Sequence, residues 1–455
     1  MESLPLFPSV LASNPKRQLE HPSSCVNIGA SEIDLISIAD ILRNGFATPP
    51  YTVSGRVRLD GCDEVTDLVV ERQHETKDDM EGIDYIDAYH KVLCGVMRSA
   101  CGGHRSPWLL QSGGKDSLSL AIALAEEFPG SNCITYSGGR EEDEVASARY
   151  AAGRLGLRHQ VIIGDCDRAY RSYLSRVKDM PLITGDAALL SYFDIMSALS
   201  SSSCDAVIDG IGSDIYFGYA CSQRQRWELR LALGLRGIDA ICGLPGVRRS
   251  FLACYFLSTL TMIEAQRTLP ASRFADQEVD SIMGREMSTL SRRRMEIVVS
   301  QSSAAKKFRR SLLLAMKEIG GAAAKGTYAA AAYDIPVIFP FMDRQMVGWT
   351  REKLPAWLRR DPHSSINKVV VRQHIDRHLG VLPYVEKKGC FRFDLVTLAT
   401  THFDVVMDMA KSTRNDVLPN AERWLIGHRK DMTNKYFASK FYLLAVLLPW
   451  INSRS

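Results

Sequence analysis

The stretch from Trp108 to Phe128 constrains the fold of this chain more than any other. An apolar run up to Leu110 ends at a Ser-Gly-Gly turn, and apolar residues then recur at helical spacing, at Leu118, Ile122 and Leu124. This pattern predicts a strand, a glycine-rich loop and a helix. Glycines let a ligand approach the main chain, and the first amides of a helix attract anions. The stretch is therefore typical of a phosphate-binding loop.

Asp116 distinguishes this loop from a Walker loop, in which Ser or Thr directly follows the lysine. A carboxylate repels phosphates unless a cation lies between them, so Asp116 indicates Mg²⁺ that holds a pyrophosphate. The run Ser112-Gly-Gly-Lys-Asp-Ser117 resembles the signature of the ATP pyrophosphatases, or PP-loop enzymes. That resemblance implies cleavage of the α–β bond of ATP and transfer of AMP to the substrate. The alternative is a turn that only joins a strand to a helix.

Length and composition limit the classes of protein that this chain can belong to. A chain of 455 residues with 46% hydrophobic residues predicts two or three packed units. Its 56 basic and 52 acidic residues give a net charge of only +4, so nucleic acid is not expected as a partner. Eleven scattered cysteines without a Cys-x-x-Cys pair indicate free thiols and a cytoplasmic location. No apolar run reaches the ~20 residues that cross a bilayer, so no membrane association is expected.

Strands and helices alternate after the loop. A second apolar strand at 132–136 ends at Ser137-Gly-Gly, a helix is predicted at 143–155, and a strand follows at 160–163. This alternation predicts right-handed crossovers and an α/β fold with a doubly wound parallel sheet. Ligands of such sheets lie at the carboxyl ends of the strands. Leu110, Tyr136 and Ser137 are therefore candidates for binding adenosine, with a core aromatic as the alternative role for Tyr136.

A second glycine-rich loop repeats the design, because the apolar strand at 206–208 is followed by a Gly-x-Gly turn and an aspartate. The segment is similar to the signature Ser-Gly-Glu-Gly-Ala-Asp-Glu-Leu-Phe-Gly-Gly-Tyr of asparagine synthetases and β-lactam synthetases. Gly210, Gly212 and Asp214 match it, and the resemblance implies that Asp214 holds Mg²⁺ together with Asp116. Ile211 departs from it, because asparagine synthetases have glutamate there. An apolar residue suits a larger, less polar acceptor or substrate.

Two further segments resemble the same family. The segment from Ile36 to Gly55 looks like the end of the glutaminase domain that precedes the synthetase domain, but Glu2 stands where the family has its nucleophilic cysteine. Glutamine hydrolysis is therefore not expected. The segment 382–391 is similar to a family sequence whose lysine stabilises charge during acyl transfer. Its register implies that role for Lys387, with Lys388 as the alternative.

The sequence thus predicts a sheet of the adenine nucleotide α-hydrolase-like (PP-loop) type with a helical C-terminal part. Residues 1–90 are expected to be a truncated glutaminase-like segment and 91–455 the synthetase domain, with helical acceptor-side portions at about 220–330 and 395–455. The cofactors are ATP and Mg²⁺, and the metal ligands are Asp116 and Asp214. The residues expected to bind the nucleotide or to assist catalysis are Leu110, Ser112, Gly113, Gly114, Lys115, Asp116, Ser117, Tyr136, Ser137, Gly210, Gly212 and Lys387.

The expected reaction is ATP-dependent amide formation through an acyl-adenylate. Its substrates would be a small-molecule or peptide carboxylate and an amine donor, which can be free ammonia, an intramolecular amine or ammonia from a separate subunit. Adenylation of a nucleobase carbonyl for thiolation or amination is one alternative, and Lys115 is compatible with it. A binding subunit of a separate amidotransferase is another, although both aspartates are present.

Overall fold

The computed structural model describes most of the chain. The described residues are 2–4, 32–59, 83–138, 142–218, 223–235, 241, 244–269, 272–301, 305–361, 366–380, 393–412 and 416–454.

A parallel sheet forms the centre of the fold and confirms the predicted α/β class. Its strands run in the spatial order β5-β4-β3-β6-β7, and every neighbouring pair is parallel. A separate parallel pair joins β1 to β2. The strands are β1 (Glu2–Leu4), β2 (Val57–Leu59), β3 (Pro107–Leu110), β4 (Asn132–Ser137), β5 (Arg158–Ile163), β6 (Ala206–Ile208) and β7 (Val337–Ile338).

Helices accompany the sheet and predominate among the described residues of the C-terminal part, as predicted. The helices up to β6 are α1 (Leu35–Asn44), α2 (Tyr85–Cys101), α3 (Lys115–Glu127), α4 (Glu142–Arg154), α5 (Cys166–Arg176) and α6 (Leu189–Ser200). Those between β6 and β7 are α7 (Ser213–Tyr216), α8 (Gln223–Arg230), α9 (Pro245–Arg248), α10 (Phe251–Thr261), α11 (Glu264–Thr268), α12 (Asp276–Met283), α13 (Ser288–Gln301), α14 (Ala305–Lys317) and α15 (Ala324–Ala331), with a π-helical turn at Glu318–Ala323 before α15. Those after β7 are α16 (Arg344–Glu352), α17 (Ala356–Arg359), α18 (Val369–Leu379), α19 (Leu395–Thr401), α20 (Phe403–Ser412), α21 (Ala421–His428) and α22 (Lys435–Asn452).

The central strand β3 is buried along its whole length, and this explains its uninterrupted apolar sequence. Strands of a parallel sheet that is covered on both faces read as apolar runs instead of alternating patterns. Strand order reverses beside β3, because β4 lies on one side of it and β6 on the other. The loops that follow β3 and β6 therefore open side by side at the carboxyl edge of the sheet, where ligands bind in folds of this kind.

Helix α1 belongs to the main hydrophobic core. Its Ile38, Ile41 and Leu42 are buried in the same cluster as the strands of the sheet. The buried Arg43 donates a hydrogen bond to Asp276 at 2.7 Å. Helix α2 continues across the predicted domain boundary between residues 90 and 91. The division into a glutaminase-like segment and a synthetase domain stays a prediction, since much of 1–90 lies outside the described residues.

Helix α22 is the longest apolar helix of the C-terminal part and is buried along most of its length. Within the described ranges, no helix combines the length and the apolar character that a membrane span requires.

Candidate active site

The loop after β3 has a backbone that requires glycine. Gly113 has a φ of +66°, and a Cβ there would lie 2.5 Å from the carbonyl oxygen of Glu144, at the start of α4. The Ser147 hydroxyl, one turn further along α4, donates to the carbonyl oxygen of Gly113 at 3.3 Å. Both the positive φ and the close approach exclude a side chain. The loop is thus held against α4.

Hydrogen bonds within the loop fix its shape. The Ser117 hydroxyl donates to the carbonyl oxygen of Gly114 at 3.1 Å and accepts from the backbone N–H of Ser112 at 3.1 Å. Gly114 is the N-cap of α3 and, as a glycine, provides no side-chain cap to this helix. Backbone amides at a helix start provide donors and a positive dipole end for an anion. This arrangement suits the phosphate role predicted for Ser112, Gly114 and Ser117.

The loop after β6 lies against the loop after β3. A Cβ on Gly210 would be 3.7 Å from both the Asp116 Cβ and the backbone nitrogen of Ser117. Gly212 has a φ of +100°, and a Cβ there would be 2.2 Å from the Met342 side chain. The structure therefore brings together two glycine turns that lie far apart in the sequence. The small residues are what permits this contact.

Asp116 and Asp214 converge on one cation, which is the ammonium group of Lys368. The Lys368 Nζ lies 2.8 Å from Asp116 Oδ2 and 2.7 Å from Asp214 Oδ1. It also donates to the Ser213 hydroxyl at 2.7 Å. The Lys368 side chain is only 1% exposed, whereas those of Asp116 and Asp214 are 15% and 18% exposed. Because both carboxylates contact the same Nζ atom, Asp116 and Asp214 lie close together although they are far apart in the sequence.

Lys368 reaches this position through an uncommon backbone conformation. It has a φ of +56° and forms the N-cap of α18. Its backbone N–H donates to the carbonyl oxygen of Arg359 at 2.7 Å, and the neighbouring Asn367 side chain donates to the carbonyl oxygen of Gly218 at 2.9 Å. A left-handed backbone costs a non-glycine residue about 1–3 kcal/mol and often occurs at functional sites. The contacts around Lys368 hold it in this conformation.

The residues at this point fit a divalent cation in addition to the ammonium group. Asp116 Oδ1 is buried and has no hydrogen-bond partner among the described residues. A buried carboxylate oxygen left without a donor is costly, and a cation would remove that cost. Carboxylate and hydroxyl oxygens are the ligands that Mg²⁺ prefers, usually beside waters and phosphate oxygens. Asp116 and Asp214 are thus suited to Mg²⁺, and their role as metal ligands stays a prediction.

The residues expected to bind adenosine lie at the ends of β3 and β4. Leu110 is buried and Ser137 is half-buried. The Tyr136 ring lies so close to Gly164 that a Cβ there would be 2.5 Å from the Tyr136 hydroxyl oxygen. Burial, followed by the nearby Asp194 carboxylate, raises the pKa of Tyr136 above its ordinary value. This tyrosine is partly buried and packs against the main core, while its nucleotide-binding role stays a prediction.

Of the two lysines expected to assist catalysis, Lys115 and Lys387, only Lys115 lies within the described residues. Lys115 is the first residue of α3 and is partly exposed beside the loop. Lys387 and its alternative Lys388 lie outside the described residues. Their acyl-transfer role stays a prediction.

Lys368 is the residue that sequence reasoning missed. The sequence predicts a cation between Asp116 and the phosphates, and the cation expected there is Mg²⁺. The segment 366–372 resembles a lysine-containing helix of the asparagine synthetases, and this was the available signal. The resemblance gave no role to Lys368, because its contact with Asp116 joins residues 252 positions apart.

Comparison with known proteins agrees with this geometry. The family model described as asparagine synthase matches residues 109–385, which is more than half of the chain. The match includes the loops after β3 and β6 and the segment of Lys368, and it ends two residues before the predicted Lys387. A search of individually curated proteins returned no match. The two loops, their order along the parallel sheet and this match together show that the chain belongs to the asparagine synthase family, whose members are ATP-dependent amide-forming synthetases.

Proposed function

We propose that this protein adenylates a carboxylic acid with ATP and Mg²⁺, and then transfers the acyl group to ammonia or an amine. The observation that carries the proposal is the meeting of Asp116, Asp214 and Lys368 beside two glycine-rich loops. Hydrogen-bond donors that contact phosphates are found in any nucleotide-binding protein and would not by themselves indicate this reaction. Two carboxylates and a buried ammonium at the same place suit a pyrophosphate that must be held as it leaves.

In the first step, an oxygen of the substrate carboxylate attacks the α-phosphorus of ATP. The bond from that phosphorus to the oxygen bridging the α and β positions breaks, and the pyrophosphate leaves with the bonding electrons. The first backbone amides of α3 and the Ser112 hydroxyl would donate to phosphate oxygens. When bound, Mg²⁺ would neutralise negative charge on the pyrophosphate.

Lys368 would act in this step through its charge. Its ammonium holds the two carboxylates together before ATP arrives, which reduces the rearrangement needed for binding. Because Lys368 Nζ also donates to Ser213, it is fixed in position by three contacts. A fixed positive charge stabilises a developing negative charge better than a mobile one.

In the second step, the amine nitrogen attacks the acyl carbon of the adenylate. The carbon–oxygen bond to AMP breaks, AMP leaves, and the nitrogen loses its extra proton to solvent. We propose Lys387 as the residue that stabilises the oxyanion of this step, on the strength of the family resemblance.

Ile211 supports a substrate other than aspartate. It follows Asp209, whose carboxylate accepts from the Ile211 backbone N–H at 3.2 Å, and its side chain is half-buried beside the core. An isoleucine cannot deprotonate or orient ammonia as a carboxylate can. We therefore propose a larger and less polar acid or amine as the substrate.

The test is ATP–pyrophosphate exchange with labelled pyrophosphate, measured with a panel of carboxylic acids. Exchange that depends on one class of acid and on Mg²⁺ is the expected result. Asp214→Asn should lower the exchange rate by about 10²–10³-fold, while Asp205→Asn, at the other end of β6, should leave it unchanged. Formation of ADP and phosphate without AMP would contradict the proposal.

A further inference from the structure

Three histidines that play no part in the proposed reaction lie close together where α2, α3 and α18 meet. His90 comes from α2, while His374 and His378 lie one turn apart on the same face of α18. One ring nitrogen from each can be chosen so that all three lie within 4.8 Å of one another. His90 and His374 are buried, and His378 is exposed. Such a set offers three nitrogen ligands and an opening to solvent.

The ring nitrogens of the two buried histidines are already oriented. His90 Nδ1 and His374 Nε2 face each other at 2.9 Å. Two metal-bound nitrogens at about 2.0–2.1 Å from a tetrahedral zinc ion are about 3.3 Å apart. A separation of 2.9 Å therefore needs only a small opening to admit an ion. Imidazole nitrogens are among the ligands that zinc prefers.

The remaining nitrogens of these rings contact groups that metal-binding histidines commonly have behind them. The Glu126 carboxylate lies 2.8 Å from His90 Nε2, and the Ser119 hydroxyl lies 3.0 Å from His374 Nδ1. Carboxylates and hydroxyls in this position fix the ring orientation and raise the basicity of the ligating nitrogen. Tyr89 in turn contacts the Ser119 hydroxyl at 2.8 Å. The histidine rings are thus supported by groups on two helices, α2 and α3.

From this geometry we infer that His90, His374 and His378 bind one zinc ion, with water as the fourth ligand. The site is separate from Asp116 and Asp214. An ion there would fasten α18 to α2 and α3. Ser119 follows Asp116 by three residues in α3, and His374 follows Lys368 by six in α18. The zinc ion would therefore stabilise the packing that brings Lys368 to Asp116.

Cys94 and Glu126 form a second possible ligand set with His90, since the Cys94 Sγ lies 3.6 Å from His90 Nε2. The inference assigns the ion to the three histidines instead, because Glu126 then supports His90 from behind and His378 has a role. The two sets are distinguishable, because only one of them contains a thiol.

The experiment measures zinc in the full-length, untagged protein after dialysis against equimolar zinc sulfate, by plasma mass spectrometry and by competition with a chromophoric chelator. We expect one zinc per chain in the wild type. We expect His378→Ala, a change at an exposed position, to lose it, and Ser119→Ala to bind zinc about 10- to 100-fold more weakly. His104→Ala, outside the cluster, and Cys94→Ser should retain full stoichiometry.

Asp214→Asn should also retain the zinc, and this separates the inference from the proposed Mg²⁺ site. Circular dichroism of each variant checks that it is folded. Cobalt substitution gives a second readout, since three nitrogens and a water yield tetrahedral visible bands without a thiolate charge-transfer band. Full zinc content in His378→Ala, loss of zinc in Cys94→Ser, or no zinc in the wild type would overturn the inference.

Discussion

Replacing Lys368 by methionine is the sharpest perturbation of the proposed site. Methionine keeps much of the volume and the unbranched shape of the lysine side chain but removes the charge. The Lys368 ammonium is 1% exposed and lies within 2.8 Å of two carboxylates and within 2.7 Å of a hydroxyl. Its removal takes away the ammonium group that lies between Asp116 and Asp214. The change should therefore both destabilise the fold and alter its response to Mg²⁺.

The magnitude follows from the burial of the pair. Removing one partner of a buried ion pair costs about 3–5 kcal/mol, because the remaining charge is left uncompensated. Asp116 and Asp214 are 15% and 18% exposed, so water can reach them in part. We therefore expect a loss near the lower end, about 3 kcal/mol, in the free energy of unfolding of Lys368→Met.

The assay is urea unfolding followed by tryptophan fluorescence, without and with Mg²⁺. Added Mg²⁺ should restore more stability to Lys368→Met than to the wild type, because the freed carboxylates can bind it. Lys353→Met changes an exposed lysine after α16 and should cost no more than about 0.5 kcal/mol. When Asp116 and Asp214 are both asparagine, the lysine change should cost far less. A loss below about 1 kcal/mol in Lys368→Met would refute the reasoning.

Three further predictions concern the metal role, the loop backbone and a distant ion pair. Asp214→Asn should lower ATP–pyrophosphate exchange by about 10²–10³-fold without loss of fold, and a loss below tenfold would exclude a metal role for this carboxylate. Gly113→Ala should destabilise the protein by at least about 1–2 kcal/mol and weaken ATP binding in calorimetry, because its φ is +66°; Gly103→Ala, where a Cβ has nothing within 4 Å, is the control. Burial alone would raise the pKa of Glu278, but Lys440, 2.6 Å away, reverses this and holds the pKa below its ordinary value of 4.5. Its stabilising contribution is therefore fully present above pH 4.5 and is lost as the pH falls through the lower folded value, so the stability gap between wild type and Glu278→Gln should narrow on acidification. A gap that is independent of pH would contradict this assignment.

The local patterns that predicted the sheet were strong ones. The apolar runs before the two glycine turns became β3 and β6, and the run at 132–136 became β4 with one further residue. Each run is short and is followed by a glycine turn, and its central residues are buried, so local sequence and tertiary environment agree. The family resemblance, drawn from the same loops, was confirmed by the match over residues 109–385.

Weaker signals gave less accurate predictions. The alternation of apolar and polar residues across 51–59 is typical of one strand, but only Val57–Leu59 is a strand, and the earlier residues form isolated bridges and turns. Strand β7 consists of Val337–Ile338 alone and was not predicted, because two residues carry no periodicity. Strand β7 is recognisable only in the folded protein, where Val337 and Ile338 pair with Val207 and Ile208 of β6.

The position of Lys368 and the histidine cluster could not be predicted from local pattern for a common reason. Both depend on α18, which packs beside α3 although some 250 residues separate the two helices. A lysine at a helix start and two histidines one turn apart are ordinary features of a sequence. They gain chemical meaning only when the fold places Asp116, Asp214 and His90 next to them.

Transfer of oxygen from the acid to AMP tests the central claim most directly. The substrate acid, identified by pyrophosphate exchange, is labelled with ¹⁸O in its carboxylate and turned over with ATP, Mg²⁺ and the amine. If the acid attacks the α-phosphorus, the AMP phosphate must carry one ¹⁸O atom, as seen by mass spectrometry. Unlabelled AMP, or the label in inorganic phosphate beside ADP, would show that this site does not form an acyl-adenylate.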